Sequence, residues 1–305
     1  MIRIGTRKSP LALWQANAVK EKLEALGFES LLVPIESEGD QNLKAPLYQM
    51  GIQGIFTKSL DIALLNNKID LAVHSLKDVP TQMPEGIKLS AVLPRGAYQD
   101  ILVSHPDPSK KLEKVIGTGS LRRKAQWLRK FPDFKVKNLR GNIQKRLEKL
   151  SQSSWTGAVF AEAGFERLGI NSTDYKPLEW MLPAPAQGII GISSGAQSPF
   201  ENALEKINDA STALCAHIER TFLATLEGGC TAPIGALARL ENQTVYFKGG
   251  LFSLMGSEAL IVEEMAPLEV AQDLGIKMAQ KILNQGGAEL MQQIKATLSK
   301  AKLDY

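Results

Sequence analysis

The chain has 305 residues, 44% apolar and 22% charged, with 36 Lys and Arg against 32 Asp and Glu for a formal charge of +4. That balance supports a sizeable core spread over two or three domains and excludes a disordered or low-complexity chain. Two cysteines, Cys215 and Cys230, and three histidines, His74, His105 and His217, form neither a disulfide framework nor a zinc-type cluster, so no metal is expected.

Residues 1–5 read as a strand with no charged leader, and no apolar run approaches membrane-spanning length, so a cytoplasmic chain that does not engage a membrane is expected. Ser9 then caps a helix with Pro10 at its first position, and Leu13, Ala16, Val19 and Leu23 mark its apolar face up to Gly27. A second strand over residues 30–35 completes a strand-helix-strand unit, as in a parallel sheet covered by helices. Arg7 and Ser9 fall at the end of the first strand beside a helix start, a usual place for anions in such sheets. Residues 36–54 read as a long loop of the kind that forms lids. Thr57 is expected to cap the next helix, which leads into the apolar strand of residues 70–73.

That strand delivers His74-Ser75-Leu76-Lys77-Asp78-Val79-Pro80. Pro80 prevents a helix here. Locally, Lys77 and Asp78 read first as a surface ion pair, although an aspartate near cations in a partly dry cleft can move protons or stabilise a cation. His74 reads as a satisfied histidine at a strand end. Pro94-Arg95-Gly96 is a crossing into a second domain, which contains most of a basic stretch between Lys110 and Lys149. Such a surface recruits nucleic acid, phosphate or carboxylates. Within it, Thr118-Gly119-Ser120-Leu121-Arg122-Arg123 joins a strand to a helix start, a local anion site without the lysine-terminated spacing of a nucleotide loop. Arg140-Gly141-Asn142 opens another helix carrying Lys145, Arg146 and Lys149. Trp127, Phe131 and Phe134 read as core or connection residues rather than stacking platforms, which argues against nucleic acid.

Residues 182–188, Leu-Pro-Ala-Pro-Ala-Gln-Gly, cross back, and the apolar run 189–192 returns to the first domain, so two linkers define a hinged cleft. From Thr212 a long helix runs into Glu227-Gly228-Gly229-Cys230, where paired glycines permit a sharp bend bearing a thiol. Three strands near residues 234–240, 244–252 and 259–265 form an antiparallel meander, and helices from Leu268 and Ala288 complete a small α+β domain.

The stretches at residues 6–16, 73–80, 117–123, 139–142 and 226–230, in this order, resemble the hydroxymethylbilane synthase (porphobilinogen deaminase) family over essentially the whole chain. The resemblance implies an α/β fold of two type II periplasmic-binding-protein-like lobes plus a small C-terminal α+β domain, divided as residues 1–93, 94–188, a return segment 189–206 and 207–305. It implies a transferase that adds porphobilinogen units to a dipyrromethane primer joined by a thioether to Cys230, then releases hydroxymethylbilane. The family's catalytic aspartate corresponds to Asp78. Cofactor contacts are expected from Cys230, Ser75, Lys77, Asp78, Thr118, Ser120, Arg122, Arg123 and Arg146, and substrate contacts from Arg7, Ser9, Gln15, Arg140, Arg146, Arg167 and Gln187. Each pyrrole carries carboxylates, so an arginine-rich cleft suits a growing polyanion. Porphobilinogen and the polypyrrole chain are the implied partners, with neither nucleic acid nor membrane, and the chain is expected to be a monomer. A non-catalytic two-lobed anion-binding protein is the competing reading, and an anchored primer on Cys230 separates the two. Gln49, Gln53, Ser59, Gly119 and Ser193 depart from common family residues, so altered lid electrostatics are expected.

Overall fold

The computed structural model describes residues 1–36, 57–107, 109–170, 175–226 and 232–303. The lid region at residues 37–56, with Gln49 and Gln53, and the turn carrying Cys230 lie outside the described residues.

The first sheet is built from β1 (Ile2–Arg7), β2 (Ser30–Ile35), β3 (Leu71–Ser75), β4 (Ile87–Val92) and β10 (Ile190–Gly195), in the order β2-β1-β3-β10-β4. β1 pairs parallel with β2 and β3, whereas β10 runs antiparallel to both its neighbours. Helices α1 (Pro10–Ala25) and α6 (Glu201–Ile207) supply Ala16, Val19, Leu23 and Leu204 to one face, against Ile2, Ile4, Val73 and Ile192. On the other face α2 (Lys58–Leu65) buries Leu60 and Leu64 against Ile69 and Ala72. Sequence periodicity accounts for α1: Ser9 accepts a hydrogen bond from the Ala12 N–H and Pro10 occupies the first turn. The expected Thr57 cap is corrected. Thr57 has helical backbone angles, so its hydroxyl is not aimed at the first free N–H groups; it bonds the Asp61 carboxyl one turn on.

The second sheet contains β5 (Asp100–Ser104), β6 (Glu113–Gly117), β7 (Lys135–Lys137), β8 (Trp155–Ala161) and β9 (Tyr175–Pro177), ordered β7-β6-β8-β5-β9. Here β6 pairs parallel with β7 and β8, and β5 is antiparallel to β8 and β9. The two sheets therefore share one plan: the strand that has just crossed from the other lobe enters antiparallel, second from the edge. This is the type II periplasmic-binding-protein arrangement, repeated without any sequence repeat. Strand β9 escapes periodicity because it is three residues long and ends in Pro177, which only an edge position tolerates. Helix α3 (Leu121–Lys130) packs Trp127 with Phe131, Phe134 and Trp180, ring centroids 4.9–6.0 Å apart, so these aromatics are core as expected. Helices α4 (Ile143–Gln152) and α5 (Glu162–Arg167) cover the other face through Leu150 and Phe165.

Beyond α7 (Ala210–Thr225), β11 (Ile234–Glu241), β12 (Thr244–Phe252) and β13 (Ala259–Pro267) form the antiparallel meander. Helices α8 (Leu274–Ile282) and α9 (Ala288–Leu303) join α7 on one of its faces, around Ile218, Phe222, Val245, Phe247, Leu274 and Ile282. Burying a ring such as Phe222 contributes about 1.5–3 kcal/mol.

The two crossings run side by side. Gly96 N–H donates to the Gly188 carbonyl at 3.1 Å and Leu93 N–H to that of Ile190 at 3.0 Å. Gly188 has a φ of +85°, and a Cβ there would stand 2.8 Å from the Gly96 oxygen, so position 188 requires glycine. Glu219 of α7 fastens both crossings to the C-terminal domain. Its fully buried carboxylate accepts from Arg95 at 2.8 and 2.7 Å, from Ala186 N–H at 2.6 Å and from Ala238 N–H at 2.6 Å.

Candidate active site

The cleft between the lobes is assembled from strand ends. β3 runs out at Ser75, and a 3-10 turn over Leu76–Asp78 follows because Pro80 blocks a longer helix. The turn is held by Leu76 N–H on the Ile189 carbonyl at 3.0 Å and Val79 N–H on that of Leu76 at 3.1 Å. From the opposite lobe come the β6–α3 turn and the Arg140–Arg146 segment. The charges of Lys77, Arg123 and Arg146 all act on or are acted on by Asp78, which brings these four predicted residues into one electrostatic neighbourhood.

The expected surface ion pair of Lys77 with Asp78 is not what holds the lysine. Its side chain is half-buried and its ammonium donates to Gln187 Oε1 at 3.4 Å. Burial pushes its pKa down to about 8, against the opposing pull of Asp78. Gln187, on the return crossing, passes the contact to the second lobe: its amide nitrogen donates to the Tyr98 carbonyl at 2.8 Å and to Asp100 Oδ1 at 3.0 Å.

Asp100 is the site residue that sequence reasoning missed. Its fully buried carboxylate accepts from Arg122 Nη1 at 2.6 Å and from Arg123 Nε and Nη2 at 3.0 and 2.8 Å. Burial alone would raise this carboxyl; the two guanidiniums override it and hold it well below the usual range. Arg122 also reaches the Leu182 carbonyl, and Arg123 Nη1 that of Val159 at 3.0 Å. Three of the five N–H groups of Arg123 are thus committed to the protein, and two remain for a ligand. Sequence analysis expected Arg122 and Arg123 as anion contacts; the structure makes them buried partners of Asp100 first. The only sequence signal for Asp100 was a carboxylate at the start of an apolar strand.

The hydroxyls of the β6–α3 turn accept locally, Thr118 from Ser120 N–H at 3.2 Å and Ser120 from Arg123 N–H at 3.4 Å, which leaves each O–H as a donor. Gly119 makes that turn compact, since a Cβ would lie 3.0 Å from the Leu139 carbonyl oxygen. Arg146 Nε donates to the Gly141 carbonyl at 2.6 Å, and burial with Arg123 nearby lowers its pKa to about 10. Arg140 is buried and its pKa is lowered by desolvation.

Gln15 and Ser75 hydrogen-bond at 2.8 Å across α1 and β3. Ser9 remains an N-cap, and Arg7 stands close enough to His74 to act on its charge. His74 departs from expectation: it is buried, its Nε2 has no hydrogen-bond partner, and desolvation followed by the Arg7 charge holds its pKa at about 4, so it is neutral. It does stand near the end of β3, as expected, and it is the burial of the side chain that leaves Nε2 without a partner. Arg167 sits at the hinge, donating to the Gly188 carbonyl at 2.6 Å with its guanidinium 5.7 Å over the Trp14 ring. Ser193 is fully buried and its Oγ has no partner, so the departure from glutamate there leaves a small polar group inside the first lobe. Cys215 is a buried free thiol whose pKa burial, then Glu219, pushes up to about 11. It is unsuited to forming a thiolate.

Two lobes of equal topology joined by paired crossings, with buried arginines and a half-buried aspartate between them, define a two-lobed protein with a strongly basic cleft. The family follows from sequence comparison. Residues 2–200 match the profile of the porphobilinogen deaminase dipyrromethane cofactor-binding domain, and residues 213–284 match the porphobilinogen deaminase C-terminal domain. Porphobilinogen deaminase of Desulfitobacterium hafniense is 42% identical over 98% of this chain and 99% of its own length. That of Geotalea uraniireducens is 37% identical over 96% of this chain and 94% of its own. The chain belongs to the porphobilinogen deaminase family.

The donor set fits the family's cofactor. Lys77, Arg122, Arg123 and Arg146 outnumber Asp78 and Asp100 in a largely desolvated cleft, a surplus that the acetate and propionate groups of a dipyrromethane would balance. Among the described residues no helix is long and apolar enough to cross a membrane.

Proposed function

We propose that the chain deaminates porphobilinogen and joins four units head to tail on a dipyrromethane held at Cys230, releasing hydroxymethylbilane. The observation that carries this reading is the Asp78 carboxylate, set on a turn fixed by the hinge strand and facing Lys77, Arg123 and Arg146. When bound, the cofactor would supply the terminal pyrrole carbon to which the first unit is joined.

The chain's own residues do the rest. Lys77, Arg122, Arg123 and Arg146, with the Ser75, Thr118 and Ser120 hydroxyls, hold the cofactor carboxylates, and Arg7, Ser9, Gln15, Arg140, Arg146, Arg167 and Gln187 receive those of incoming and earlier units. Asp100 keeps Arg122 and Arg123 charged and oriented, so they bind anions without reorganising. Asp78 stabilises positive charge on the pyrrole nitrogen as ammonia leaves and as the carbon–carbon bond forms, then accepts the proton displaced from the joined carbon. Cys230 stays bonded throughout and does not turn over.

We divide the chain into residues 1–93 with 189–206, residues 94–188, and residues 207–305, and we place it as a monomer in the cytoplasm. Asp78→Asn tests the mechanism: a folded variant that retains cofactor should lose about 10²–10⁴-fold in kcat for porphobilinogen. Undiminished turnover would reject the role of Asp78. A non-catalytic anion binder is not favoured, since both family profiles and the full-length relatives that match the chain are porphobilinogen deaminases.

A further inference from the structure

The turn bearing Asp78 is fixed on its upstream side by β3 and by the Ile189 carbonyl. Downstream it has a different problem. Pro80 offers no N–H, the segment belongs to neither helix nor sheet, and the carbonyls of Val79 and Pro80 need donors. Both are supplied by one side chain of another domain: Arg220 on α7 donates from Nη1 to the Val79 oxygen at 2.9 Å and from Nη2 to the Pro80 oxygen at 2.7 Å. A guanidinium fork reaches two consecutive carbonyls in one fixed geometry, which an ammonium cannot do.

The packing beside this contact is only partly closed. A cavity of about 300 Å³ opens between α7 and the first lobe, lined by Thr81, Leu89 and Val92 on one side and Ala213, His217 and Arg220 on the other. Leu76 and Val79 of the turn do pack with Ala216 of the helix in one apolar cluster, but such contacts are non-directional, and the two Arg220 hydrogen bonds are the directional link from helix to turn. The neighbouring residue on the helix, Glu219, pins both crossings. Helix α7 thus fastens the hinge with one residue and the catalytic turn with the next, before the chain continues towards Cys230.

We infer that Arg220 is a positioning residue for Asp78: the C-terminal domain sets the catalytic carboxylate as well as tethering the primer. This rests on the proposed role of Asp78. When Arg220 is truncated, the Val79 and Pro80 carbonyls lose their fork, the downstream end of the turn is held only by apolar contacts, and Asp78 shifts away from the pyrrole nitrogen. The carboxylate-binding residues are untouched, so the effect falls on kcat and not on KM.

The experiment compares holoenzymes whose covalent cofactor has been verified by intact mass: wild type, Arg220→Ala, Arg220→Lys, Asp78→Asn and the Arg220→Ala/Asp78→Asn double variant. Arg220→Ala should lose about 10²-fold in kcat at unchanged KM, as a displacement of about 1 Å in a reacting group can cause. Arg220→Lys should fall between it and wild type. Millimolar guanidinium or ethylguanidinium, entering the enlarged cavity, should restore part of the kcat of Arg220→Ala and none of that of Asp78→Asn. In the double variant the loss should not exceed that of Asp78→Asn alone, because both substitutions remove the same contribution. Unchanged kcat in Arg220→Ala, a loss expressed in KM, or a further loss of equal size in the double variant would overturn the inference. If Arg220→Ala does not fold or load cofactor, the kcat, KM and double-variant comparison made with Arg220→Lys decides it by the same criteria. Full turnover in Asp78→Asn would reject the proposed mechanism instead, an outcome distinct from loss of the Arg220 effect alone.

Discussion

Replacing Asp100 with asparagine preserves shape and removes one charge from the middle of the second lobe. The wild-type carboxylate accepts one hydrogen bond from Arg122, two from Arg123 and one from Gln187, and the three charged side chains are only 0–7% exposed. At that burial solvent screens little, and an asparagine amide would turn N–H donors towards guanidinium donors. Leaving two buried cations without their counter-charge should cost about 3–5 kcal/mol. Urea unfolding followed by tryptophan fluorescence reads this directly, because Trp127, Trp155 and Trp180 all lie in the second lobe and only Trp14 lies elsewhere. A multidomain chain can unfold in steps, so the relevant quantity is the transition carrying the Trp127–Trp180 signal. The pH dependence has a definite sign. The folded carboxyl is held below its unfolded value of about 3.9, so its contribution is fully present above that pH and is lost as pH falls through the folded value. The gap between wild type and Asp100→Asn should stay constant above about pH 5 and narrow in stronger acid. A loss below about 1 kcal/mol, the worth of an ordinary hydrogen bond, would refute the view that this pair organises the lobe.

Lys77, with its amine lowered to about 8 by burial, should give kcat/KM a basic limb no lower than that value, since bound carboxylates only raise it. Lys77→Arg should move the limb up and out of range; a limb unaffected by that substitution would contradict a role for the amine. Glu219→Ala leaves Arg95 unpaired and the N–H groups of Ala186 and Ala238 without their acceptor, so a loss of about 3–5 kcal/mol is expected by chemical denaturation. Faster proteolysis at residues 184–188 should accompany it, and an unchanged cleavage rate would argue against Glu219 as the hinge clamp.

The sequence reveals what local rules control. Ser9 with Pro10 marks α1, the apolar strands place themselves, and Pro80 accounts for the short turn after Ser75. What escapes is pairing across distance. Nothing near Asp100 in the chain announces Arg122 and Arg123, and Arg95 meets Glu219 only because two crossings converge on one helix. The paired arginines look like free anion binders in sequence because their counter-charge is more than 20 residues away. His74 and Thr57 fail for a similar reason: burial and backbone angle, rather than residue type, decide what each side chain can bond. Gly119 was legible only as a departure from the family, and its cause, the approach of Leu139, is tertiary.

The central claim is a covalent primer on one particular thiol. Intact mass of the purified protein, followed by peptide mapping, tests it most directly. A mass increment of two pyrrole units is predicted, located on the peptide containing Cys230 and absent from that containing the buried, high-pKa Cys215; Cys230→Ser should abolish the increment. An unmodified mass in protein that turns over porphobilinogen, or an adduct that survives Cys230→Ser, would contradict the account.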